Sequence, residues 1–104
     1  MAQAVIINIT LSDHKFGSAD DRFVISQLED KISSALEEAD FGELDGDEYG
    51  GGECTIYIYG PDADRLFAII RPFLASELKA YKGYAIKQYG EPDDLNAREV
   101  RVTW

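Results

Sequence analysis

Glu53-Cys54-Thr55-Ile56-Tyr57-Ile58-Tyr59 is the strongest strand signal in the chain. β-branched and aromatic side chains fill it, and these suit a pleated, half-buried backbone. Gly60-Pro61-Asp62 ends it and offers proline and aspartate for a helix start. Leu66, Ile69, Ile70, Phe73 and Leu74 then recur at helical spacing. Pro72 falls inside that pattern, where a missing N–H and a clash with the preceding turn predict a kink or an early end.

Upstream, Val5, Ile7, Ile9 and Leu11 alternate with other residues at the period of a strand. Ser18-Ala19-Asp20-Asp21 supplies a capping serine and carboxylates for the positive end of a helix. That helix has Ile25, Leu28, Ile32, Ala35, Leu36 and Ala39 inside, and Glu29, Asp30, Lys31, Ser33, Ser34, Glu37 and Glu38 outside. Phe41 to Leu44 is a short candidate strand. Asp45 to Gly52, with four glycines, reads as a long hairpin loop. Tyr84 to Tyr89 and the alternating Glu99-Val100-Arg101-Val102-Thr103-Trp104 are the last two strands, joined by a loop through Glu91 and Asp93.

The predicted order is β1 (3–11), α1 (20–39), β2 (41–44), β3 (53–59), α2 (62–75), β4 (84–89) and β5 (99–104). This is the split βαβ order, β-α-β-β-α-β, of ferredoxin-like α+β folds with one strand added at the C-terminus. It places β1 and β3 side by side at the centre of an antiparallel sheet with both helices on one face. The other face is expected to carry Tyr57, Tyr59, Lys87 and Arg101, or the opposite alternation. At 104 residues the chain is expected to form a single domain.

Twenty acids against ten bases give a net charge of -10, which disfavours phosphate backbones and anionic membranes. Residues 1–64 carry net -12 and residues 65–104 net +2. The start of the chain lacks the pattern of a signal peptide and no apolar run is long enough to span a bilayer, so the expected compartment is the cytoplasm. With Cys54 as the only cysteine, no internal disulfide or multi-cysteine metal site is available.

Eight carboxylates fall between Glu37 and Glu53 with no lysine or arginine among them. Asp45-Gly46-Asp47 begins like a calcium loop, but Tyr49 stands at its fifth position and Ile56 at its twelfth, where a bidentate glutamate belongs. Gly50-Gly51-Gly52 matches no phosphate-binding pattern. His14 and Cys54 could form a nucleophilic couple at one end of the sheet, yet no third group or oxyanion feature accompanies them. A lone strand cysteine is usually a small buried hydrophobe.

These readings favour a non-enzymatic module that presents acids to a basic protein partner, such as an inhibitor or immunity-type protein would. Glu43, Asp45, Asp47, Glu48, Tyr49 and Glu53 are the candidate partner-binding residues, with no cofactor or metal. The competing expectation is a regulatory or sensor domain that binds a small ligand, with a homodimer through a sheet edge or the open sheet face as one form of it. The tyrosines at 57 and 59, on one face of β3, fit a partly exposed aromatic surface.

Overall fold

The computed structural model describes residues 2–12, 15–91 and 93–104. Its elements are β1 (Gln3–Thr10), α1 (Ala19–Ala39), β2 (Glu43–Gly50), β3 (Glu53–Gly60), α2 (Ala63–Glu77), β4 (Gly83–Gln88) and β5 (Glu99–Val102). The strands form one antiparallel sheet in the order β2-β3-β1-β4-β5. That is the ferredoxin-like α+β arrangement, with β5 paired to β4 at the added edge.

β1 is the middle strand because it has pairing partners on both sides and an inner face of Val5, Ile7 and Ile9, all fully buried. In register beside it, Ile58, Ile56 and Cys54 of β3 continue that face. Ile25, Leu28, Ile32 and Leu36 of α1 and Leu66, Ile70 and Leu74 of α2 close over it. Val102 of β5 packs on the same core.

The helix starts follow local chemistry. Ser18 caps α1, its hydroxyl accepting from the Asp21 N–H while the Asp21 carboxylate accepts from the Ser18 N–H, the reciprocal box that satisfies two orphan donors. Asp62 caps α2, and the Gln3 side chain of β1 accepts from the Ala63 N–H at 2.8 Å, tying that helix end to the central strand.

Three expectations are corrected here. The segment 45–52 is not a long loop: β2 runs to Gly50, and only Gly51 and Gly52 form the turn, with φ of 62° and 82°. Two consecutive positive φ values define the turn whose twist suits a two-residue hairpin, and glycine adopts them without Cβ strain. Replacing both glycines with alanine is expected to cost about 1–2 kcal/mol. Gly51→Asn with Gly52 kept should be nearly neutral, since asparagine followed by glycine suits the same turn; thermal unfolding of the two variants distinguishes these outcomes. Second, of the kink or early end expected at Pro72, the early end does not occur: α2 runs through Pro72 to Glu77, close to the expected 62–75. Pro72 and the Ala68 carbonyl it leaves unpaired both belong to exposed residues, where water replaces the lost bond. Third, Lys87 lies on the helix side, in register with Val5, with its ammonium 3.0 Å from Asp64 and over the Phe67 ring.

Candidate functional site: the acidic edge

Among the described residues β2 pairs on one side only, so its other backbone edge is open. Its carboxylates do not form one patch, because alternate residues of a strand point to opposite faces. Asp47 and Tyr49 are in register with Ile56 and Cys54 and therefore turn toward α1. Glu43 and Glu48, opposite Tyr59 and Thr55, turn to the open face. A bulge between Leu44 and Gly46 leaves Asp45 as the extra, exposed residue. Glu53 sits at the turn end of β3, exposed and in register with Thr10. Five of the six expected partner-binding residues thus lie on the edge strand, divided between two faces and a bulge, and Glu53 lies on the next strand.

On the helix side, Asp47 meets Glu29 of α1, which is half-buried rather than on the outer face. Burial, a hydrogen bond to Asp47 and repulsion from Asp47 and Asp30 push the Glu29 carboxyl up to about 8. Glu29 therefore keeps its proton at neutral pH, beside Asp47. Tyr49 packs beside them under the Arg22 guanidinium, 4.5 Å from its ring centroid. Burial, helped by the nearby Cys54 and Asp47, raises the Tyr49 hydroxyl. Glu29 is missed by the helical pattern because it follows Leu28 at the border of the apolar stripe; its spacing of four from Ile25 and three from Ile32 is the available signal.

Cys54 lies in the core with no exposed surface, and burial together with Asp47 pushes its thiol up to about 12. A thiol held neutral in the core is a packing group rather than a nucleophile. The other half of the couple, His14, lies outside the described residues. Among the described residues no group of three or more His, Cys, Asp or Glu is placed to hold a metal ion. Asp45 to Gly50 is strand, so the calcium-like start of that segment does not adopt a coordination loop.

Where α1 ends and β2 begins, a cleft of about 390 Å³ opens. Leu36, Phe41 and Leu44 give it apolar walls, and Glu37 and Asp40 at the end of α1 line it as well, while Glu43 borders it with its side chain turned to the open face. The backbone makes this bend through Asp40 at φ 49° and Gly42 at φ 76°. A Cβ on Gly42 would stand 2.6 Å from a Leu66 methyl and 2.7 Å from the Tyr59 carbonyl, so glycine is what the close approach requires. Arg65 already places its guanidinium 4.4 Å from the Phe41 ring centroid.

A second polar centre lies at the other end of α1. Asp21, 2% exposed, accepts from the Ser12 N–H (3.0 Å), the Ser12 hydroxyl (2.6 Å), the Ser18 N–H (3.1 Å) and the Tyr81 hydroxyl (2.8 Å). Burial alone would raise its pKa, but the hydrogen bonds from Ser12, Tyr81 and Ser18 outweigh it and hold the carboxyl well below the usual range. All its acceptor capacity is spent inside the fold, joining the end of β1, the start of α1 and the α2–β4 connection.

No helix among the described residues is long and apolar enough to cross a membrane. Comparison with family models, with curated proteins and with solved structures gives no match.

Proposed function

We propose that the protein is a non-enzymatic cytoplasmic binding module that takes a basic protein partner along the β2 edge and the adjoining end of α1. The observation that carries this reading is the cleft lined by Leu36, Phe41 and Leu44 together with the acidic residues Glu37 and Asp40 at the end of α1. A lysine or arginine has the matching shape, an apolar stem with a charged head. The exposed Asp45 and Asp47 extend the same field along the edge. Such a field speeds encounter with a basic surface and opposes wrong partners, which is the physics of an inhibitor or immunity-type protein.

The test uses the intact protein as bait and a basic protein that it retains. Glu37→Lys with Asp45→Lys should abolish retention. Asp93→Lys with Glu99→Lys, the same change in net charge, should leave it largely intact, because β5 and the connection leading to it stand at the opposite edge of the sheet from β2. Affinity for that protein should fall between about 0.05 and about 0.3 M salt, mainly through a slower on-rate. Equal loss from both double variants, or binding indifferent to salt, would reject the localised acidic site.

A further inference from the structure

The sheet face away from the helices carries no element among the described residues. Its central row, read across the strands, is Gly46, Tyr57, Ile6, Ile86 and Arg101, residues in mutual register. Tyr57, Ile6 and Ile86 are partly exposed, and Tyr84 and Tyr59 flank them. The row is also polar in one direction. At the β2 end Gly46 leaves a bare position, where even an added Cβ would meet nothing within 4 Å, bordered by Glu43 and Glu48. At the β5 end stands Arg101, its guanidinium 3.5 Å from the Tyr84 ring centroid.

We propose that this face is a self-association surface, on which two copies pack face to face about a twofold axis parallel to β1, with Arg101 of each copy entering the notch at Gly46 of the other. A rotation about that axis exchanges the two ends of the row. Ile6 then lies on Ile6 of the second copy, Ile86 on Tyr57, and each Arg101 approaches Glu48 and Glu43. An axis across the strands would instead set β2 on β2 and bring Glu43, Glu48 and Glu53 against themselves, so charge selects the first arrangement. The contact is isologous and closes at two copies.

Area agrees with a reversible pair. Five strands about 4.8 Å apart and about six residues deep cover roughly 480 Å² per copy, near the lower limit of specific interfaces when doubled. One neighbouring contact opposes it, since Glu99 of the second copy approaches Glu43. Glu99 already accepts from Gln88, and Glu48 becomes the main carboxylate facing Arg101.

Sedimentation velocity of the full chain between about 10 µM and about 1 mM should show a monomer–dimer equilibrium. Arg101→Glu should weaken it by about tenfold or more, and adding Glu48→Arg to that variant should restore it, which simple misfolding would not allow. A wild-type protein that stays monomeric up to about 1 mM overturns the proposal. So does an Arg101→Glu variant that dimerises like the wild type, or a charge swap that fails to restore association while both variants keep the wild-type circular dichroism. None of these outcomes depends on the partner of the acidic cleft, which is read separately with the Glu37 and Asp45 variants.

Discussion

Asp21→Ala is expected to lower the unfolding free energy by about 3 kcal/mol, a large share of the roughly 5–15 kcal/mol typical of a small domain. The carboxylate accepts four hydrogen bonds from three separate segments, and its removal strands two backbone N–H groups and the Tyr81 hydroxyl at a nearly buried position. Hydrogen bonds to a charged acceptor are each worth about 1.5–3 kcal/mol, and partial entry of water into the space left keeps the sum below full additivity. In a domain of this size the change corresponds to a Tm lower by roughly 12–20 °C. Tyr81→Phe, which deletes one donor, should cost about 1 kcal/mol. Calorimetry on both variants decides the matter: equal small losses would mean the network is not a unit.

The second large effect is a fall in stability as the solution becomes alkaline. Glu29 is raised in the folded state from its ordinary 4.5 to about 8 by burial and by Asp47. A group raised on folding binds its proton more tightly in the native state, so its contribution is complete below about 4.5 and is lost as pH rises through about 8. The full shift would correspond to several kcal/mol, but Glu29 is only half-buried and screening leaves about 1–2 kcal/mol. Glu29→Gln keeps a donor for Asp47 at every pH. Urea unfolding should show the variant more stable than wild type by about 1–2 kcal/mol at about pH 9 and nearly equal at about pH 5. Parallel pH profiles would refute the raised Glu29 carboxyl. Asp21 acts in the opposite sense, since its depressed pKa gives stability that is present above 3.8 and is lost as pH falls below it.

The contrast between Glu29 and Ser18 shows what sequence patterns could and could not reveal. Ser18 to Asp21 is a local signal, because a cap and its helix are neighbours along the chain, and the structure has that box in place. The alternations of β1 and β3 are equally local and identify the central strands. Glu29 depends on how far α1 is rotated over β2, and that angle is set by packing between segments distant in sequence. β2 itself was hidden for a related reason. Asp45-Gly46-Asp47-Glu48 has poor strand propensity, but an edge strand needs only one partner, and β3 offers a full ladder across a turn that Gly51 and Gly52 make possible. Five of the candidate residues fall on β2 and Glu53 on β3, and the division of the five between two faces and a bulge came only with the register.

The open backbone of β2 also bears on how the protein behaves in solution. A strand edge without a partner is a template for another chain, and the acidic side chains of Glu43, Asp45 and Glu48 along it are one way to refuse that pairing. Near the isoelectric point of 4.3 the net repulsion between molecules vanishes. That is also where Asp21 and Glu29 together favour the folded state most. The protein should accordingly be least soluble close to the pH at which it is hardest to unfold, and mild acid should precipitate native molecules through their edges rather than denatured chains.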